Sequence, residues 1–412
     1  MSILAGMRVV EGSAFVAVPL AGMTLAQMGA EVIRFDRIGG GLDAGRWPLA
    51  PNRQSLFWAG MNKGKKSIAV DMKSPRGKEL ITDLITAPAP EAGMFLTNLR
   101  VRGWMDYETL SARRKDLIMV TLTGDRHGRP QVDYTVNPSL GIPHITGAEG
   151  DAEPVANALP AWDLIAGNMC VSALLAAERH RLLGRGGQEV ELSLKDVAAA
   201  TLGHLGMIAD ATLNTAERGK AGNSLYGAYG QDFVCADGAR IMVIGLTSRQ
   251  WQGLISATAM QEGIATLEQE LGISLSDEGN RWLHRSKITA LLKPWFAARK
   301  VEDFEVDFNE RGLTWSKFRT VGEALCEDPD LSDENPLFKN LEQPGIGKYL
   351  TPRHPACFGD RGTLDARPAP KLGEHTEEIL GDVLGLGDRT IGRLFDQGVV
   401  DAPGRSVQKS AA

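Results

Sequence analysis

Short runs of aliphatic and β-branched residues alternate with helical patterns from the start of the chain. Met7-Arg-Val-Val-Glu-Gly12 predicts a strand, a helix is expected near Leu20 to Gly29, and Glu31-Val-Ile-Arg-Phe-Asp36 predicts a second strand. Lys66-Ser-Ile-Ala-Val-Asp71, a helix opening at Pro75, Gly93-Met-Phe-Leu-Thr-Asn98 and Asp116-Leu-Ile-Met-Val-Thr-Leu-Thr-Gly124 continue the alternation. Strands spaced by helices predict βαβ units and a mostly parallel sheet, so the fold class is α/β with a large Rossmann-like domain. Each strand ends in polar residues or glycine, where such folds place their ligands.

Ala161 to Leu183 reads as one long helix with apolar and small residues on most faces, which predicts deep burial or a subunit interface. Gln188-Glu-Val-Glu-Leu-Ser-Leu194 reads as a strand and Lys195 to Ala216 as a helix. Glycines and basic residues then interrupt periodicity from Glu217 to Tyr229. These signals divide the chain into residues 1–216, the N-terminal part of the large domain, and residues 217–230, a linker or active-site loop. Residues 231–327 form a smaller α+β domain, with a strand at Arg240 to Gly245 and a helix from Lys287 to Ala298. Residues 328–400 hold an extended return segment, rich in Pro, Gly and Asp, and two short helices, Thr376 to Leu384 and Asp388 to Gln397. Residues 401–412 read as a tail.

Composition narrows the class. The 412 residues carry 43% hydrophobic and 23% charged side chains, which excludes a disordered or fibrous chain and leaves room for two or three cores. The net charge of −6 gives no footprint for nucleic acid. Four scattered cysteines, Cys170, Cys235, Cys326 and Cys357, read as reduced thiols in a cytoplasmic protein. The longest apolar stretch, Leu164 to Ala177, is too short to span a bilayer, so no membrane partner is expected.

Several chemistries lack their motif. The turn Val10-Glu-Gly-Ser-Ala-Phe-Val-Ala-Val-Pro19 has no G-x-G-x-x-G, and neither Walker A nor G-x-S-x-G occurs. The seven histidines show no metal-ligand spacing, so no metal is expected. Asp163 stands out, in Leu159-Pro-Ala-Trp-Asp-Leu-Ile-Ala-Gly-Asn168, where the long apolar helix begins. A carboxylate there serves as an N-cap, or as an ionised nucleophile able to form an anhydride from a thioester; both can hold at once. The basic clusters Lys63 to Lys66 and Arg100-Val-Arg102 read either as solvated loop charge or as partners for phosphates. Trp47, Trp58 and Trp104 read as core or interface residues more readily than as a base-stacking platform.

The segment Asp163 to Ala198, with Ala177-Glu-Arg-His, Gly184-Arg-Gly-Gly-Gln188 and Val190-Glu-Leu-Ser-Leu-Lys-Asp196, resembles the family III CoA-transferases. Gly29-Ala-Glu-Val-Ile-Arg34, Asn62-Lys-Gly-Lys-Lys-Ser67 with Asp71, Thr97-Asn98, Asp328-Pro329 and Leu372-Gly-Glu-His-Thr-Glu-Glu-Ile-Leu380 match in order, over nearly the whole chain. Within that family, Val9-Val-Glu-Gly-Ser-Ala-Phe-Val-Ala, Ile38-Gly-Gly-Gly-Leu-Asp43, Asp133-Tyr-Thr-Val-Asn-Pro138 and Gly203-His-Leu-Gly-Met-Ile208 are similar to members that move CoA between the two carboxylates of one C5 dicarboxylic acid.

The resemblance implies that Asp163 is the nucleophile. It places Arg37, Val70, Lys73 and Asn98 against CoA; Arg100 and Arg102, from the basic cluster above, are further candidates for its phosphates, and Val16, Asp133, Tyr226, Gly227 and Tyr229 are candidates for the acyl end. It also implies an interlocked homodimer, a large domain built from both ends of the chain, an acyl-CoA substrate, and no cofactor beyond the CoA carried by that substrate. Two positions depart from the exchanging members of the family. Val16 stands where they carry Gln, and Gly222-Asn-Ser-Leu-Tyr-Gly-Ala-Tyr-Gly230 replaces their glycine-only loop, where Tyr226 and Tyr229 are expected to cover the substrate. Gln131 and Val132 stand where the racemases of the family place a histidine base, so a two-base proton exchange is disfavoured. The expected activity is intramolecular CoA transfer within an unsaturated C5 dicarboxylyl-CoA. Intermolecular transfer between dicarboxylic acids is the alternative, followed by a racemase, and outside catalysis a CoA-binding regulator.

Overall fold

The computed structural model describes residues 2–215, 217–359 and 363–405. Ala216, the expected end of a helix, residues 360–362 of the extended return segment, and residues 406–412 of the expected tail lie outside the described residues. The chain forms two compact units: Met1–Leu140 with Asn157–Thr212 and Pro329–Ala412, and Gly141–Ala156 with Leu213–Asp328.

In the first unit six strands run parallel: β1 (Arg8–Gly12), β2 (Glu31–Arg37), β3 (Lys66–Val70), β4 (Met94–Thr97), β5 (Ile118–Thr123) and β6 (Gln188–Ser193). Their order is β3-β2-β1-β4-β5-β6, and Val400–Asp401 adds a short antiparallel strand outside β3, with Val400 opposite Val70. Both faces of such a sheet are covered, which is why its strands read as apolar runs rather than alternations. On one face Val10, Phe35, Ile68 and Phe95 pack with Leu80, Leu84 and the C-terminal Ile379, Leu394 and Phe395. The alternate residues Val9, Val32, Met94 and Val120 are equally buried. β6, at the far edge, does alternate: Glu189 and Glu191 are exposed between partly covered neighbours.

The elements follow their local signals. Ser74 caps Pro75–Thr86 by accepting the Gly77 N–H, and Pro75 supplies a first helical position that needs no N–H. The long helix runs over Ala161–His180 and ends in a π-turn, Arg181–Arg185, where Gly184 takes φ +75°. It packs against Ala17–Gln27 at Gly167, where a Cβ would stand 2.7 Å from the Ala17 carbonyl oxygen. Only glycine permits that approach.

Some expectations change. The helix expected over Lys195 to Ala216 is two, Leu194–His204 and Met207–Leu213, separated at Gly206, whose φ of +74° stops the first. The segment read as extended contains an antiparallel hairpin, Phe338–Gln343 with Gly347–Pro352, turning at Pro344-Gly345. Asp401 is in a strand, inside the segment read as tail.

The second unit holds a three-stranded antiparallel sheet, Tyr229–Val234, Arg240–Gly245 and Thr314–Lys317, under helices that include Ser248–Ala257 and Arg285–Ala297. Its core is aromatic: Phe233 stacks on Phe296 with ring centroids 4.2 Å apart, and Phe304 and Phe308 close the cluster.

Candidate active site

β1 has β2 on one side and β4 on the other, so the chain order reverses at β1, and connections leave toward opposite sides there. A crevice forms outside the carboxyl ends of the strands at such a point. A cavity of about 950 Å³ lies there, walled by residues of the first unit. Ala14 to Ala17 follow β1, Asn98 to Arg100 follow β4, Leu122 to Gly124 end β5, and Asp163 enters from the Ala161–His180 helix.

The turn after β1 is held from two directions. Asn98 clamps it from the side: its Oδ1 accepts the Ala14 N–H at 3.0 Å and its Nδ2 donates to the Ala14 carbonyl at 2.8 Å. Beneath it lies a buried ionic network. Arg34 donates to Asp36, to Asp43 at 2.9 Å and to the Ser13 carbonyl at 3.1 Å, with the Trp58 ring 4.5 Å from its guanidinium. Lys65 donates to Glu11, to Asn62 and to the Pro19 carbonyl. Breaking one partner of such a network leaves an uncompensated buried charge. Between these supports Phe15 adopts φ +68°, rare for a bulky residue, and both it and Val16 face the cavity.

The N-cap of the long helix is Pro160, so Asp163 is in the first turn and does not cap. Asp133 takes that task from the Asp133–Ser139 helix: its Oδ2 accepts the N–H groups of Trp162 at 2.7 Å and Asp163 at 3.2 Å. The Asp163 carboxylate is left facing the cavity, half-buried. Burial first, and the Asp133 charge second, push its pKa up to about 7, while Arg46 pulls it down. With a pKa of about 7 the carboxyl is about half ionised at pH 7 and ionised above it, and its anion is less solvated than in water, as a nucleophile toward a carbonyl requires.

The other expected site residues divide. Val16, Asn98, Asp133 and Arg100 line the same cavity as Asp163. Arg100 lies across Gly128, whose missing side chain makes room for it, with Glu191 3.6 Å away. Arg37 is exposed as the last residue of β2, Lys73 beyond the end of β3, and Arg102 on the loop after β4; none of the three lines the cavity. The Val70 side chain is fully buried in the core, so it has only its main chain to offer a ligand. Tyr226, Gly227 and Tyr229 belong to the second unit. Tyr226 has the Arg218 guanidinium 3.6 Å from its ring and the Trp282 ring 4.9 Å away. Tyr229, expected on a substrate-covering loop, instead opens a strand, is fully buried, and shares a 3.1 Å hydrogen bond with Thr289.

The basic cluster Lys63 to Lys66 is neither solvated nor free for phosphate. Lys63 and Lys65 are buried, and Lys66 bridges Glu31 and Glu378. Glu11 in β1 and Arg34 in β2 were the available signals, charges inside strands that are otherwise apolar. No group of three or more His, Cys, Asp or Glu side chains able to hold a metal occurs among the described residues, and none of their helices is long and apolar enough to cross a membrane.

Residues 4–376 match the profile of CoA-transferase family III. The chain belongs to CoA-transferase family III. This transferase is 53% identical over 405 residues to the 2-methylfumaryl-CoA isomerase of Chloroflexus aurantiacus, covering 98% of this chain and 99% of the relative. It is 27% identical to the human succinyl-CoA:glutarate CoA-transferase, over 97% of this chain and 90% of that one. In fold it is similar to a CaiB/BaiF family protein of Brucella suis, with a TM-score of 0.75 and 24% identity, covering 93% of this chain and 99% of that structure. The α/β architecture with a large, mostly parallel sheet is thus shared with the CaiB/BaiF proteins.

Proposed function

We propose that this transferase moves CoA between the C1 and C4 carboxylates of 2-methylfumaryl-CoA (mesaconyl-CoA) within one enzyme-bound molecule. The observation that carries the reading is the Asp163 carboxylate, turned into the cavity with its helix capped by another residue. The 53% identity to an enzyme named for that reaction supports the choice of acyl group.

Asp163 attacks the thioester carbonyl, giving a mixed anhydride and CoA thiolate. The thiolate attacks the Asp163 carbonyl, leaving an aspartyl-CoA thioester and the free dicarboxylate. The other carboxylate of that molecule attacks the aspartyl thioester and regenerates the thiolate. Attack of the thiolate on the substrate carbonyl of the new anhydride releases the isomeric ester and restores Asp163. Every proton and electron pair balances without a redox partner. Arg100 on the cavity wall would meet CoA, Asn98 would support it through the Ala14 turn that it clamps, and Arg37, Lys73 and Arg102 would act along its outer, phosphate-bearing part. Val16 gives the wall no polar side chain to receive a second acid, in keeping with a reaction that uses a single one.

The active form is proposed to be an interlocked homodimer. Leu182, Leu205 and Ile208 are large apolar side chains more than half exposed in the isolated chain, as a dimer interface would leave them. Light scattering of the purified protein tests the dimer.

The transfer itself is tested isotopically. Unlabelled C1 ester is incubated with a large excess of ¹³C-labelled free mesaconate, and label is sought in the C4 ester. Little or no label is expected; label approaching the free-pool ratio would mean intermolecular exchange. Asp163→Asn should abolish turnover with the fold intact, and hydroxylamine should trap wild-type Asp163 as a hydroxamate during turnover.

A further inference from the structure

We propose that Arg46 receives the free carboxylate of the acyl group, the end not joined to CoA, and thereby selects dicarboxylyl over monocarboxylyl esters. The inference rests on the dicarboxylyl-CoA reading above. Arg46 lines the same cavity as Asp163, and its guanidinium lies 5.5 Å from the Phe15 ring and 5.1 Å from the Phe57 ring. Two phenyl faces hold the planar group in place while leaving its N–H edge free. Among the described residues that edge makes no hydrogen bond or ion pair. Of the other cavity arginines, Arg129 donates to Asp125 at 2.6 Å, and Arg100 is the one assigned to CoA above.

The acyl chemistry needs such a group. Leu42, Phe15, Val16 and Pro160 make much of this wall apolar, and a carboxylate moved against it from water is costly unless paired. A second anion beside Asp163 would also oppose ionisation of the nucleophile, as Asp133 already does. Arg46 answers both demands, since a guanidinium binds a carboxylate through two parallel N–H bonds. While C1 is joined to CoA, Arg46 holds C4. Once CoA sits on Asp163 the dicarboxylate exchanges ends, so that C4 attacks and C1 takes the place on Arg46. An ester with a methyl group in place of the free carboxylate gains nothing from this residue.

The test compares C1 mesaconyl-CoA with 2-methylcrotonyl-CoA, the same skeleton with that methyl. The rate of hydroxylamine-trapped Asp163 hydroxamate is measured against ester concentration at about pH 8.5, above the Asp163 pKa of about 7. In Arg46→Met the second-order constant for mesaconyl-CoA should fall about ten- to a hundredfold, the worth of a charge-assisted hydrogen bond. The constant for 2-methylcrotonyl-CoA should be unchanged, and Arg46→Lys should recover part of the loss on mesaconyl-CoA alone. Equal losses on both esters would mean that Arg46 acts through Asp163 or the fold, and would overturn the proposal, as would no loss on either. The wild type separates the two readings. If it fails to convert the C1 ester, the isomerase reading is rejected, and the Arg46 comparison is made on succinyl-CoA against butyryl-CoA, where equal losses overturn it.

Discussion

Asp133 Oδ2 accepts the main-chain N–H of Asp163 at 3.2 Å, so one carboxylate caps the helical turn that presents the other. The arrangement couples placement to charge, because the group that fixes the Asp163 backbone also opposes ionisation of its side chain. Asp133→Asn keeps an acceptor for both N–H groups and removes the charge. The acid limb of kcat/KM should therefore move to lower pH, read between about pH 5 and 9. Asp133→Ala should instead cost about 0.5–2 kcal/mol of stability through the lost cap. An acid limb unmoved in the Asn variant would show that Asp163 does not feel this charge.

Burial of Asp163, with the Asp133 charge second, also makes stability depend on pH. The Asp163 pKa is raised from an ordinary 3.8 to about 7 in the folded chain, so the native state holds this proton more tightly than the unfolded state. Stability from this group is greatest below pH 4 and is lost as pH rises through 7. Asp163→Asn has no such loss. Its Tm advantage over wild type should grow from about pH 4 to 7 and level off above. A gap constant over that range would count against the raised pKa.

Asn98 is committed to the main chain of Ala14 through both side-chain heteroatoms. Asn98→Ala strands an N–H and a carbonyl and releases the turn that holds Phe15 at φ +68°. A loss of about 1–3 kcal/mol in stability is expected, with a fall in kcat. A rise in KM alone, with Tm unchanged, would point to a contact with CoA and nothing more.

Gly167 sets the distance between the Asp163 helix and the helix after β1. Gly167→Ala would drive a methyl into the Ala17 carbonyl, and should destabilise by about 1–3 kcal/mol and slow turnover. Gly392 in the Asp388–Asp396 helix is the control: nothing lies within 4 Å of its added Cβ, and Gly392→Ala should stabilise by about 0.4–1 kcal/mol. Equal effects at the two positions would remove the special role of Gly167.

The parallel sheet was legible because strands buried on both faces leave long apolar runs, as in Asp116 to Gly124, and because Ser74-Pro75 writes a helix start locally. The hairpin at Phe338–Pro352 had a local signal too, Pro344-Gly345, but its partly covered strands lack the alternation that would have betrayed them. The site was legible only at Asp163 and, through family likeness, at some of its neighbours. The cap by Asp133 joins residues thirty apart, and the clamp of Asn98 on Ala14 joins residues eighty-four apart. Contacts of that kind follow from strand order, which no local pattern encodes. Lys65 and Arg46 show the same limit in reverse: one basic residue is sunk against Glu11, the other left unpaired in a cavity, and nothing beside them in the chain distinguishes the two.

The strand Val400–Asp401 and the apolar residues Ile379, Leu394 and Phe395 complete a sheet whose other strands end at residue 193. During synthesis β3 waits roughly 330 residues for its outer neighbour, or roughly 15–70 s at about 5–20 residues per second. For that interval the nascent sheet presents an unpaired edge and a bare patch around Ile68, Leu80 and Leu84. A holding chaperone is expected to bind the newborn chain over that interval. Nascent chains arrested before Thr376 should remain bound to one and be cut readily by protease, whereas chains released after residue 405 should resist.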